Sequence, residues 1–313
     1  MRHHWARIEE RGNIAGMRLM VATQRHLGSW PFRLLLWPVM LWYFLLHGTA
    51  RRASQAYLLH LDPELSRHPC KRLWLSYRHF LAFADALMDK VAAWSGDIAD
   101  ARLTGSGIAR FSDAIDAGQG GLILVAHHGN LDVVNALADR HPGLDLTVMM
   151  HTRNARKFNI LLEHVTGRPR PDVLEVGEIT PATAQSLAER LDAGGFVVIA
   201  ADRLPLSGER SRRLDFLGAP ALFPEGPFLL AALLRCPLYT LACVRENGAF
   251  IIDFEPFDDT RNLRRRERES WIADSMQRHA DRLAQRVRDH PLQWFNFYPF
   301  WLNDTGSLHD LTP

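Results

Sequence analysis

Cysteine is scarce in this chain of 313 residues, which holds only Cys70, Cys236 and Cys243. None belongs to a CxxC pair or to a zinc-like spacing, and an odd count argues against a disulfide framework. A reducing cytosolic setting is therefore expected. Lysine is equally rare, confined to Lys71, Lys90 and Lys157, so every other basic side chain is arginine. Arginine suits phosphate and carboxylate recognition, although genome base composition produces the same bias. The formal net charge of +2 gives no argument for a nucleic-acid partner. Met1 to Gly16 is charged and lacks an apolar core, so a cleaved secretory signal is not expected. No GxSxG elbow supports a serine hydrolase, and no HExxH supplies a ready zinc face. Internal repeats and low-complexity linkers are missing too.

The chain does hold enough apolar residues, 47%, to bury a full core. One run stands out near the N-terminus: Trp30 to Gly48, WPFRLLLWPVMLWYFLLHG. It approaches the roughly 20 residues that a spanning helix needs, and Trp30, Trp37, Trp42 and Tyr43 suit the headgroup interface. Arg33 and Pro38 interrupt it, and Arg18, Arg25, Arg51 and Arg52 flank both ends. This pattern is expected of a membrane anchor, either bitopic or dipping into one leaflet, with the main domain in the cytosol. A buried helix of a soluble core is the alternative. The division that follows is a helical N-terminal region over residues 1–95, with the membrane segment at about 30–48, and a catalytic domain over residues 96–313.

Beyond Gly96 short apolar runs alternate with amphipathic helices. Strands are expected at 121–128, 146–151, 172–176 and 196–202, with helices at 131–138, from 154, at 180–193 and at 227–234. A strand pair at 237–246 and 250–257 turns at Asn247-Gly248, and a long helix covers about 264–289. Repeated strand–helix units imply an α/β fold with a mostly parallel central sheet flanked by helices. Sites in such sheets gather at the carboxyl ends of strands, where His127, His151 and Asp202 all fall.

Val125-Ala126-His127-His128-Gly129-Asn130-Leu131-Asp132 carries the strongest chemical signal. A base at an exposed strand end, a glycine that permits a sharp turn and an acid in the first helical turn would place Asp132 beside the His127 imidazole. Such a pair can take a proton from an alcohol. Alternation along the strand lets only one of His127 and His128 face the site; His127 is preferred. The alternative is that these are polar strand-end residues.

His127 with Asp132 resembles the HX4D motif of the lysophospholipid acyltransferase-like superfamily. Within it the chain is similar to the bacterial lipid A biosynthesis acyltransferases, the lauroyl and myristoyl transferases that carry an N-terminal membrane helix. The likeness runs from the hydrophobic segment to Gln293-Trp294-Phe295-Asn296. HTRN (151–154), DR (202–203), FLGAPA (216–221) and PLQWFNF (291–297) resemble a side branch associated with aryl polyene or other pigment-lipid clusters. Lipid A enzymes commonly have glutamate where this chain has Asp132. Phe223-Pro224-Glu225-Gly226 resembles the FPEG block of glycerophosphate acyltransferases, which helps bind the acceptor's phosphate. The resemblance implies a glycerolipid acyltransferase-like fold with no cofactor and no metal.

The expected activity is transfer of a fatty acyl group to a hydroxyl of a lipid or glycolipid. The donor would be a thioester of acyl carrier protein or coenzyme A. His127 would act as general base and Asp132 would orient it, at the cytoplasmic face of the cell inner membrane. Arg203 and Arg153 would meet a phosphate or the oxyanion, or serve as structural ion pairs. Glu225 would cap a helix or shape an acceptor pocket through Gly226. The basic run from Arg261 to Arg268 would meet an acidic carrier or anionic lipid, or form an ordinary solvated face. Two other classes stay open: a non-catalytic lipid-binding membrane protein, and a metal-dependent hydrolase using His127, His128 and Asp132.

Overall fold

The computed structural model describes residues 29–134, 144–150, 172–175, 180–204 and 210–302. Strands β1 (Leu103–Thr104), β2 (Gly121–Val125), β3 (Leu146–Met150), β4 (Asp172–Glu175), β5 (Phe196–Ala200), β8 (Pro237–Glu246) and β9 (Ala249–Asp259) form one sheet. Its order is β1-β9-β8-β2-β5-β3-β4, and β8 with β9 is its antiparallel pair. The mostly parallel α/β architecture expected from sequence is present. All five residues of β2 are buried, which explains its unbroken apolar run: a central parallel strand is covered on both faces.

Helices α1 (Ser29–Leu46), α2 (Gly48–Leu61) and α3 (Pro69–Ser95) precede the first strand, and α4 (Gly107–Asp116) lies between β1 and β2. They are followed by α5 (Pro181–Asp192), α6 (Gly226–Leu234) and α7 (Arg268–Asp289). Ile272, Met276, Leu283 and Val287 give α7 a buried stripe at helical spacing. Leu131–Val134, the described part of the helix expected at 131–138, is a 3-10 turn. A separate two-stranded ribbon, β6 (Ser211–Phe216) with β7 (Ala219–Pro224), was not apparent from sequence. It turns at Leu217 (φ 53) and Gly218 (φ 78), positive at both central positions, as the twist of a two-residue hairpin favours.

The segment expected to anchor the chain at 30–48 is the helix α1, but it is not a spanning helix. Among the described residues, no helix is long and apolar enough to cross a membrane. Its 18 residues include Pro38, and at 1.5 Å per residue they reach only about 27 Å. One side of α1 is also spoken for. Met40 and Phe44, four apart, pack with Tyr77, Phe80 and Ala84 of α3. The other side presents Trp37, Val39, Leu41, Trp42, Leu45 and Leu46, all exposed. Tyr57 and Leu58 of α2 lie in the main core with Trp294 and Trp301, so this helical region is built into the molecule.

Candidate active site

Two neighbouring parallel strands create the site. β2 and β5 pair in register, with Val125 opposite Ala200. The chain runs two residues past each strand, to His127 and Asp202, so residues 75 apart in sequence reach the same level at the carboxyl edge of the sheet. There the Asp202 carboxylate closes on His127 twice. Oδ1 lies 2.8 Å from imidazole Nδ1, and Oδ2 accepts the His127 backbone N–H at 2.8 Å. Trp294 Nε1–H donates to the same Oδ2 at 3.1 Å.

The acid on His127 is therefore Asp202, not Asp132. Gly129 explains why. It has φ 76, and a side-chain carbon there would stand 1.9 Å from the Cys243 carbonyl oxygen, so the backbone lies tight against β8. Asn130 N then donates to that carbonyl at 2.7 Å, and Asn130 Nδ2 donates to Ala86 O of α3 at 2.8 Å. These bonds carry the chain away from His127 toward α3. Asp132 ends with Oδ2 3.1 Å from Lys90 Nζ. Asn130 does act as expected at the start of the turn, its Oδ1 accepting from Asp132 N at 3.2 Å.

Electrostatics separate the two histidines. Burial works to raise the Asp202 pKa, but His127, its hydrogen bonds and Arg203 outweigh it and hold the carboxyl well below the usual range. An ionised carboxylate only accepts, so the proton of neutral His127 sits on Nδ1 and Nε2 carries the lone pair. Burial and the Arg203 charge lower the His127 pKa against the opposing pull of Asp202, which keeps the ring neutral near pH 7. Its side chain is 38% exposed, whereas Asp202 is 1% exposed. His128 faces the other way. It is buried, sits 3.3 Å from the His290 carbonyl through Nε2, and is pushed by burial to about 4. His127, His128 and Asp132 thus point to three different partners and do not converge as metal ligands.

Arg203 follows Asp202 and donates through Nη2 to Phe295 O at 3.0 Å, with its guanidinium 5.9 Å from the Tyr298 ring. It lies at the site, as its position after β5 suggests. Glu225 does not cap α6 through its side chain. Its Oε1 accepts from Arg212 Nε at 2.9 Å, and Arg212 also binds Glu269. Gly226 opens α6 behind it. Arg153 and the HTRN stretch lie outside the described residues. In the basic run, Arg261 pairs with Asp259, while Arg264 and Arg266 stand beside Glu267.

Sequence reasoning missed the work of residues 291–301. Gly129 N donates to Gln293 O at 2.8 Å and Phe295 N to His127 O at 2.9 Å, so this segment lines the β2 loop. The Gln293 side chain clamps β8, accepting from Arg245 N and donating to Arg245 O, both at 2.8 Å. The available signal was the density of aromatics in QWFNFYPFW, a surplus unless the segment is buried.

Comparison with known proteins places the chain among acyltransferases by family. The family model described as Bacterial lipid A biosynthesis acyltransferase matches residues 78–303, a span that includes His127, Asp132, Asp202, Arg203 and Trp294. The phosphatidylinositol mannoside acyltransferase of Mycolicibacterium smegmatis is 25% identical over 205 residues, 62% of this chain and 60% of that protein. The protein of the same name from Mycobacterium tuberculosis is 28% identical over 204 residues, 64% of this chain and 60% of its own length. The matched part thus spans about three-fifths of these curated relatives. On the family match, this chain belongs to the bacterial lipid A biosynthesis acyltransferase family.

Proposed function

We propose that the protein is an acyltransferase that moves a fatty acyl group from a thioester of acyl carrier protein or coenzyme A to a hydroxyl of a lipid or glycolipid. The observation that carries this reading is a neutral imidazole at a sheet edge, tied at Nδ1 to a buried carboxylate and open at Nε2. Nε2 takes the proton of the acceptor hydroxyl as its oxygen attacks the thioester carbonyl. The tetrahedral intermediate collapses, the thiolate leaves, and the proton on the imidazolium passes to it; no acyl-enzyme forms. Asp202 holds the productive tautomer and stabilises the imidazolium, a role worth on the order of 10²–10⁴ in rate.

Arg203, with its charge beside the imidazole, is assigned to the thioester oxyanion or a substrate phosphate. Arg153 is assigned to the same substrate phosphates, and Gly226, beside Glu225, to the acceptor pocket. Asp132 supports the turn after β2 through Lys90. The name of the mycobacterial relatives favours a glycolipid acceptor. The exposed tryptophans and leucines of α1, with Arg51 and Arg52 beyond them, support association with one leaflet, with the catalytic residues at the cytoplasmic face of the inner membrane.

The test is transfer of radiolabelled acyl groups from acyl carrier protein and from acyl coenzyme A to extracted membrane lipids, with and without a chelator. His127→Ala is expected to abolish transfer from whichever donor is used. Full transfer by His127→Ala would overturn the base assignment, loss in chelator would favour metal-dependent chemistry, and no transfer from either donor would leave a lipid-binding protein.

A further inference from the structure

The Asp202 carboxylate is held by more than His127. Its three hydrogen-bond donors are the His127 backbone N–H and Trp294 Nε1–H at Oδ2, and His127 Nδ1 at Oδ1. The two donors on Oδ2 lock rotation of the carboxylate about its Cβ–Cγ bond, and that lock aims Oδ1 at the imidazole. One of them belongs to the backbone. The other comes from a side chain 92 residues away.

Trp294 is itself fixed from several directions. Its ring meets Tyr57 at 5.1 Å, Phe216 at 5.3 Å and Phe300 at 5.0 Å, all edge-on. Its backbone forms a bridge with His128. Its carbonyl lies 2.9 Å from His79 Nε2. A carbonyl only accepts, so His79 carries its proton on Nε2 and accepts at Nδ1, where Ser54 Oγ lies 3.0 Å away. Ser76 Oγ donates in turn to Ser54 Oγ at 2.9 Å. A buried polar chain thus runs from α2 and α3 through His79 and Trp294 to Asp202, with each donor and acceptor matched. Hydrophobic packing of the indole alone does not call for that alignment.

We propose that Trp294 is a positioning residue for His127, its indole N–H holding the Asp202 carboxylate in the orientation that keeps Nδ1 protonated and Nε2 available. The proposal rests on the reading of His127 as the base. The charged and titratable groups that feel this pair electrostatically are Arg203 from the β5 loop, His128 from the β2 loop, His279 from α7 and Tyr298 from the C-terminal segment. The substitution below leaves all of them in place.

Trp294→Phe keeps an aromatic ring and removes the donor. With one donor fewer, the carboxylate charge is less satisfied and the imidazolium beside it is favoured. The midpoint of the His127 ring titration, followed by NMR and assigned by its loss in His127→Ala, is expected to rise by roughly half a unit or more. The acid limb of acyl transfer should move with it, and kcat should fall about 10- to 100-fold while KM for the acyl donor stays within about twofold. If Trp294→Phe does not fold, benzothienylalanine at position 294, with sulfur in place of the N–H, preserves the ring shape and takes the same measurements. An unmoved midpoint in the folded variant overturns the proposal, whatever its activity, because loss of packing alone would lower the folded fraction without shifting the titration. Transfer surviving in His127→Ala overturns the base reading instead, and the two failures are separately visible.

Discussion

His127 and Asp202 form their pair because β2 and β5 are parallel, adjacent and in register, so two residues beyond each strand end is the same place in space. This assigns different weights to the two aspartates. Asp202→Asn should lower kcat by on the order of 10²–10⁴, since the amide can present its N–H to Nδ1 and favour the wrong tautomer. Asp132→Asn, which alters the partly exposed pair with Lys90, should change kcat by less than about tenfold. The reverse ranking in steady-state rates would return the orienting role to Asp132. Gly129→Ala combines an unfavourable positive φ with a collision against the Cys243 carbonyl. It should destabilise the fold by roughly 2–4 kcal/mol, read as a lowered urea midpoint.

At the scale of elements, α1 shows how one helix serves two environments. Met40 and Phe44 are buried against α3, while Trp37 and Trp42 are 54% and 66% exposed. Replacing both tryptophans with serine should weaken flotation with anionic liposomes by roughly tenfold and leave the melting temperature almost unchanged. Equal flotation would remove the leaflet contact from the proposal. The sequence made this helix visible as an apolar run but could not show which side is covered, because the covering residues Tyr77, Phe80 and Ala84 lie on another helix. The β6–β7 ribbon was hidden for a related reason. Its first strand reads Ser-Arg-Arg-Leu-Asp-Phe, too polar to stand out until Leu214 and Phe216 are seen against the core.

At the scale of the whole molecule, three histidines are buried among the described residues. His79, His128 and His279 are each lowered by burial to about 4. An unfolded histidine titrates near 6.5, so between about pH 6.5 and pH 4 the unfolded chain binds more protons than the folded one. Stability is then full above about pH 6.5 and declines as pH falls through that window, by on the order of 2–3 kcal/mol per histidine at pH 4. Urea midpoints measured from pH 7 to pH 4 should fall steadily, and His279→Phe, beside Phe228 and Phe257, should flatten the slope. An unchanged midpoint across that range would show that these rings are not buried neutral.

The sequence by itself determined the α/β architecture, because strand and helix periodicities are local and the central parallel strands need continuous apolar runs. It also singled out His127 as the candidate base, since a strand end, a glycine and a capping residue are all read within eight positions. Only the tertiary structure decided which acid serves that histidine. Asp132 is near in sequence but is carried off by the Gly129 turn toward Lys90, whereas Asp202 and Trp294 arrive from strand register and a buried C-terminal segment. Hydrogen-bond partners are set by distance in space, and the residues that supply them here are separated from His127 by 75 positions or more.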